Sequence, residues 1–381
     1  MIDTLRFGDV LRDLGFGVFA GVPCSLLQPL INFASNSLDY VAATNEGEAV
    51  AIAFGAELGG CKSAVLLQNS GVTNALAPLT SLTNICEIPI TGFVGFRGEP
   101  GVPDEIQHRI MGAITAQLLE ISGVIVIPLA TDLPAAARQL AEGEAHRRAG
   151  RSVFYLVSKE TFSPLDLAPV PARVYPAGTV TTSPAPPSPL PPRHDVLRVF
   201  SAHKRRDTAL LATTGMCGRE LFTIEDAPNH FYMVGSMGCV SSIALGLALA
   251  RPDRRIVALD GDGALLMRMG NLATNAFHRP GNLLHVLLDN RSHDSTGGQV
   301  TASAAMDWTA IARGAGYPRV IATSDLGEIA AVFDGWLADP DLTFLHIPIA
   351  PGSLSPLGRP TVTPAEVARR LRDFLARNFL A

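Results

Sequence analysis

Short apolar runs alternate with stretches whose apolar positions recur every three or four residues along most of the 381-residue chain. Residues 16–20, 40–43, 64–68 and 88–96 in the first half, and 209–212, 231–234 and 256–259 in the second, read as strands, and 344–348 as a sheet edge. The opening MIDTLRFGDVLRDLG and residues 364–379 read as amphipathic helices. Strands spaced by helical segments make parallel sheets covered on both faces, so the expected class is α/β with doubly wound parallel sheets. No sequence repeat relates the halves.

Residues 162–192 interrupt the pattern with ten of the 28 prolines, too many for a helix or a central strand. The expected organisation is two domains, 1–162 and 193–381, joined by a semi-extended connector over 163–192. Composition narrows the function. Hydrophobic residues make up 47%, charged residues 17%, and the net charge is −5, so nothing attracts nucleic acid or an anionic membrane. Asp3, Asp9 and Asp13 interrupt what a signal peptide would need as an apolar core. The apolar run 237–250 is too short and too rich in Gly and Ser to span a bilayer. Five cysteines without a C-x-x-C spacing read as free thiols in a reducing cytoplasm.

The densest candidate chemistry lies in residues 256–299. A strand ends in Gly261-Asp262-Gly263, a helix is expected over 264–276, and the next strand ends at Asp289-Asn290. Open α/β sheets bind ligands at the carboxyl ends of their strands, and glycines there let backbone N–H groups approach an anion. Asp262 would face that anion and repel it unless a hard cation such as Mg²⁺ lay between them, with Asn290 and a main-chain carbonyl just beyond it as neutral oxygen ligands.

Other strand ends add candidates. Glu46 and Glu48 fall in the first turn of a helix, where acidic residues are ordinary. The loop 21–26 carries Ser25 and Cys24, and the turn 68–74 offers Asn69 and Ser70 as hydrogen-bonding groups for a small polar substrate or as a plain helix cap. Arg97, between a strand end and Gly98, either grips an oxyanion or belongs to a charged surface loop that runs on to His108. Thr213, Thr214 and Gly215 suit diphosphate oxygens or a capped helix start equally. His293 and Asp294, directly after the metal-ligand position, are candidates for substrate contact and proton transfer; an inert capped loop is the alternative.

Residues 264–289 place 26 positions between Gly263 and Asn290. This spacing resembles the thiamin diphosphate signature. The resemblance implies that Gly261, Asp262, Gly263 and Ala264 carry the cofactor's diphosphate, and that Asp262, Asn290 and the Ser292 carbonyl hold Mg²⁺. The usual Asn-Asn is here Asp289-Asn290. Asn45-Glu46-x-x-Ala49 resembles the motif whose Glu hydrogen-bonds the aminopyrimidine N1′, which favours Glu46 over Glu48. GSMG at 235–238 matches the segment that bends the cofactor, with Met237 as the wedge and the Gly235 carbonyl as a contact to the 4′-amino group.

GVPCSLL (21–27), NEGEA (45–49), QNSGVTNALAPLTSL (68–82), GFRGEPGVPDEIQH (95–108), GSMGCVSSIALG (235–246) and NRSHDSTGGQ (290–299) together look like the phosphonopyruvate decarboxylase branch of the thiamin diphosphate-dependent decarboxylases. Sulfopyruvate decarboxylases are its nearest relatives. The resemblance implies two domains of the thiamin diphosphate-binding fold, aminopyrimidine-binding then diphosphate-binding, without the middle domain of larger relatives. It implies a homodimer or larger homo-oligomer with active sites shared between subunits. The substrate would be a small 2-oxo acid bearing a phosphonate, with Ser25, Asn69, Ser70, Arg97 and His108 as candidate contacts; a sulfonate substrate stays open. Arg291 occupies a position where a small residue is expected. A non-catalytic relative would be expected to lack the Glu or the metal ligands, and Glu46, Asp262 and Asn290 are all present.

Overall fold

The computed structural model describes residues 1–169, 178–183 and 189–377, and the chain divides into two compact units, Met1–Arg173 and Val174–Ala381. Each is built on a parallel sheet flanked by helices.

The N-terminal unit holds β1 (Phe16–Gly21), β2 (Asp39–Ala42), β3 (Lys62–Gln68), β4 (Thr91–Gly95), β5 (Ile125–Pro128) and β6 (Val153–Val157), in the order β2-β1-β3-β4-β6-β5. Sequence reading extended β4 back to residue 88; Pro89, which has no N–H for the ladder, lies outside the strand. All pairs are parallel, and the register sets Gln68 beside Gly95 and Gly95 beside Val157, so β3, β4 and β6 end level. The helix Glu46–Leu58 is buried along its whole length. Its Ala- and Gly-rich sequence explains this, since small side chains let it pack against both the sheet and the helix Val72–Pro78. Asn45 caps it, accepting a hydrogen bond from the Glu48 N–H at 3.0 Å. Deeper in, Phe93 stacks on Tyr155 with ring centroids 5.3 Å apart.

The C-terminal unit contributes β7 (Thr179–Thr182), β8 (Thr208–Ala212), β9 (His230–Tyr232), β10 (Arg255–Gly261) and β11 (Leu283–Asp289). A small ribbon follows, β12 (Ser292–His293) with β13 (Gln299–Val300), then β14 (Arg319–Ala322) and β15 (Thr343–Pro348). The main sheet runs β7-β14-β15-β11-β10-β8-β9.

Four expectations change. Residues 344–348, expected at the sheet edge, belong to β15, which pairs with β11 on one side and β14 on the other and so lies inside the sheet. β7 falls inside the proline-rich stretch, where only a connector was expected. Residues 178–183 contain no proline, and an edge strand pairs on one side only, as β7 does with β14. The single helix expected over 264–276 is two, Asp262–Met267 and Asn271–His278, parted at the Arg268-Met269-Gly270 step. The closing helix runs Pro364–Ala376 with a capping box at Thr363 and Glu366; its expected end at Phe379 lies outside the described residues. Among the described residues no helix is long and apolar enough to cross a membrane.

Each sheet has a switch point, where successive connections leave in opposite directions and the loops part to form a crevice. In the N-terminal unit it falls between β1 and β3, and in the C-terminal unit between β8 and β10. The first crevice is flanked by the loops carrying Ser25 and Asn69, the second by Thr213 and Asp262.

Candidate active site

In the N-terminal unit, the Glu46 side chain turns inward from the first position of its helix and is 8% exposed. Asn74 Nδ2 donates to its Oε2 at 2.8 Å, while Oε1 lies over Gly71, where any Cβ would overlap it. A glycine at 71 is therefore what lets this carboxylate occupy its place. Glu48 faces another way. Its Oε2 accepts from the Thr44 N–H at 2.6 Å and from the Thr44 hydroxyl, which ties the chain entering the helix to its first turn.

The Arg97 guanidinium is held along one edge by Asp104, with Nε 2.8 Å from Oδ2 and Nη2 2.6 Å from Oδ1. This pair raises the Arg97 pKa and, through the same hydrogen bonds, holds the Asp104 carboxyl well below the usual carboxylate range. Nη1 is left to reach Ser25 Oγ at 3.3 Å. Ser25, Arg97 and Lys159 line one pocket, Lys159 entering from beyond the end of β6. The Asn69 side chain is engaged within the fold. Fully buried, it donates to the Arg97 carbonyl at 2.7 Å and to Thr115 Oγ1 at 3.2 Å, and accepts from the Arg97 N–H at 3.2 Å. These bonds lock the β3 and β4 loops together, so the donor role expected of Asn69 becomes a positioning one. Ser70 is exposed and accepts from Gln68 Nε2 at 2.7 Å. His108 is buried, its Nε2 3.6 Å from Glu105 Oε2.

In the C-terminal unit one cleft gathers nearly every residue singled out there: Thr213, Thr214, Gly215, Met237, the 261–264 turn, Asn290, Ser292, His293 and Asp294. Gly235 is not among its lining residues. Gly215, at φ 91°, turns the chain into the helix Met216–Ile224, a backbone that glycine adopts without strain. The His293 ring covers Gly263, whose added Cβ would meet ring Cε1 at 2.5 Å. Asp262 is 2% exposed and accepts from the Thr301 hydroxyl. Burial pushes its carboxyl up, the Thr301 bond opposes this, and the nearby Asp289 charge adds to the rise. Burial also pushes at Asp289, but His346 Nε2 at 3.0 Å and Ser303 Oγ at 2.7 Å outweigh it and leave that carboxyl below its ordinary value. Asp289 is thereby tied into the fold, while Asp262 remains a buried carboxylate short of positive partners.

Thiamin diphosphate and a divalent cation fit these residues. Thr213 Oγ1 is buried at the switch point without a hydrogen-bond partner, a cost of about 1–3 kcal/mol that a diphosphate oxygen would relieve. Asp262, with the oxygens of Asn290 and Ser292, offers the hard donor set that Mg²⁺ prefers. Among the described residues no group of three or more His, Cys, Asp or Glu side chains could hold a metal, so a cation here would need carbonyl, amide and phosphate oxygens to complete its shell.

Some residues of the cleft were not legible beforehand. Arg193 lines it and pairs with Asp294 at 2.7 Å. Asp260, wholly buried, accepts from the Gly261 N–H at 2.9 Å and lies 3.2 Å from His285 Nε2; His285 Nδ1 is in turn 3.1 Å from the Tyr317 hydroxyl. That chain braces the glycine turn from behind. Arg291 is exposed at φ 57°, the left-handed region that favours glycine, which accounts for the small residue expected there. All five cysteines are free; burial pushes the Cys217 thiol up to about 12 and raises that of Cys24, so neither is poised as a nucleophile.

Comparison with known proteins gives the family. The chain is 43% identical over 373 residues to a phosphonopyruvate decarboxylase of Streptomyces viridochromogenes, covering 96% of this chain and 93% of that one. The chain belongs to the phosphonopyruvate decarboxylase family. A sulfopyruvate decarboxylase of Methanosarcina acetivorans is 27% identical over 96% of both chains. Residues 213–347 match the thiamine pyrophosphate enzyme C-terminal TPP binding domain, which contains most of the cleft. Benzoylformate decarboxylase from Polynucleobacter necessarius shares the fold, with a TM-score of 0.70 at 14% identity over 93% of this chain and 100% of that one. As a member of this family the chain is a lyase, a thiamin diphosphate-dependent decarboxylase with two α/β domains.

Proposed function

We propose that the chain decarboxylates 3-phosphonopyruvate to phosphonoacetaldehyde and CO₂ with thiamin diphosphate and Mg²⁺, in phosphonate biosynthesis. The observation that carries this reading is the C-terminal cleft, where the unpartnered Thr213 hydroxyl, the buried Asp262 and Asn290 converge at the sheet's switch point. Thr213, Thr214 and the 261–264 turn would hold the diphosphate, Asp262, Asn290 and the Ser292 carbonyl the cation, and Met237 the cofactor's bent shape. When bound, thiamin diphosphate supplies the electron sink that makes loss of CO₂ feasible.

Glu46 holds and returns a proton at the aminopyrimidine N1′. Asn74 occupies Oε2, which leaves Oε1 for that proton. Arg97 Nη1, Ser25 and Lys159 neutralise and orient the phosphonate; Asn69 keeps the Arg97 loop in place. His293, over Gly263, is the candidate for proton transfer to product. The enzyme acts as a homodimer or larger homo-oligomer, with Glu46 of one subunit serving the diphosphate half of another.

A sulfonate substrate is the second reading, favoured by the 27% identity to a sulfopyruvate decarboxylase over nearly the whole chain. The two substrates differ in charge, a phosphonate carrying up to one more negative charge than a sulfonate. Measured side by side, kcat/KM is expected to be higher for 3-phosphonopyruvate. A higher value for sulfopyruvate would install the alternative, and turnover of neither would overturn both.

A further inference from the structure

The side-chain amide of Asn290 has two ends of similar size, and only the oxygen can ligate a cation. Something in the fold must decide which end faces the diphosphate turn. Asn290 Nδ2 donates to Asp294 Oδ2 at 2.6 Å, and Asn290 Oδ1 accepts from the Ser292 N–H at 3.2 Å. The first bond ends on a carboxylate, and such charge-assisted bonds are about twice as strong as neutral ones. A carboxylate also has no proton to offer. Reversing the amide would set oxygen against oxygen.

Asp294 is itself held firmly. The same Oδ2 accepts from Arg193 Nη2 at 2.7 Å and from the Gly352 N–H at 3.1 Å, and the side chains of Arg193 and Asp294 are 7% and 10% exposed. Arg193 is steadied by Glu220, wholly buried, with Nη1 3.5 Å from Oε1; the Leu354 N–H donates to that same oxygen at 2.8 Å. Donors from three stretches of the chain, Asn290, Arg193 and Gly352, thus converge on one carboxylate oxygen in the cleft wall.

We propose that Asp294 is a positioning residue, which turns the Asn290 amide so that its oxygen faces the cation. The assignment rests on the reading of Asn290 as a Mg²⁺ ligand. Asp294 acts through Asn290 and needs no contact with substrate.

The test is calorimetric titration of the full-length protein with thiamin diphosphate at a series of Mg²⁺ concentrations. Asp294→Asn replaces the carboxylate with an amide that can donate or accept, so the orientation of Asn290 is no longer enforced. The Mg²⁺ concentration for half-maximal cofactor binding is expected to rise about 10–100-fold, the usual cost of removing an outer-shell partner of a metal ligand. A merely structural role would lower the melting temperature of the metal-free protein and leave that midpoint alone.

A second background separates the roles. In Asn290→Asp either oxygen can ligate, and two carboxylates would repel across the 2.6 Å contact. There, adding D294N should lower the Mg²⁺ midpoint, the opposite sign to its effect in the wild type. If D294N alone does not fold, N290D against N290D/D294N carries the test. A midpoint unchanged by D294N, or raised equally in both backgrounds, overturns the inference while leaving the metal reading intact. Wild-type cofactor binding indifferent to Mg²⁺ overturns the metal reading and the inference with it.

Discussion

Two arginine–aspartate pairs, one in each unit, have almost the same length and opposite uses. Arg97 and Asp104 meet at 2.6 Å, Arg193 and Asp294 at 2.7 Å. Asp104 also accepts from the Gly98 N–H at 2.7 Å and the Glu105 N–H at 2.8 Å, so it closes its own loop and leaves Arg97 Nη1 turned outward toward Ser25. Asp294 instead accepts from Asn290 and from distant Gly352, so there the arginine is consumed within the fold. Length does not distinguish the pairs; the third partner does. The first arginine keeps one guanidinium nitrogen turned to a pocket, while the second is tied to two carboxylates.

The contrast extends to the carboxylates, and the largest expected effect lies there. Glu46→Gln should cut kcat by about 10²–10⁴-fold, the usual weight of a general acid–base group, with thiamin diphosphate binding retained by calorimetry. Near-normal turnover would remove Glu46 from the chemistry. Glu48→Gln weakens the tie to Thr44 and should lower the melting temperature with much smaller loss of turnover. Next is Asp262→Asn, which removes the charged ligand. The Mg²⁺ midpoint for cofactor binding should rise by more than about 100-fold, beyond what an outer-shell change costs. An unchanged midpoint would mean that the cation, if bound, is held elsewhere.

Asp104→Asn comes third. Arg97 loses its charged edge partner and the 97–108 loop its staple, so KM for 3-phosphonopyruvate should rise about tenfold with kcat less affected. A KM equal to wild type would show that Arg97 needs no clamp.

The smallest effect on turnover belongs to His230, buried in β9 and absent from the cleft lining. Burial lowers its pKa from 6.5 to about 4, with Lys204 adding to the shift. The unfolded chain therefore takes up the proton first as pH falls. The contribution is present in full above pH 6.5 and is lost as pH falls toward 4, about 3 kcal/mol in all. Urea unfolding at pH 7 and pH 4 should show a smaller acid loss for His230→Gln than for wild type, at equal neutral-pH activity. Identical losses would discard the assignment.

Much of this was legible because it is local. The Gly-Asp-Gly turn, the strand before it and Asn290 at the end of the next strand are bound to one edge by parallel register, since Gly261 lies beside Leu288. Glu46 was legible for the same reason, one residue after its cap. What escaped was whatever depends on partners far along the chain. Arg193 is 101 residues from Asp294, and Tyr317 is 32 from His285. The strand end that carries Asn69 is legible, but its hydrogen bonds to Arg97 are not, because they form only once β3 and β4 pair. The β7 strand was hidden by neighbouring prolines that never enter it.

The most direct test is CO₂ release from 3-phosphonopyruvate by protein stripped of cofactor and metal, then given thiamin diphosphate and Mg²⁺ separately and together. Release is expected only when both are present, and Glu46→Gln should abolish most of it. Undiminished release with either one omitted would contradict the account.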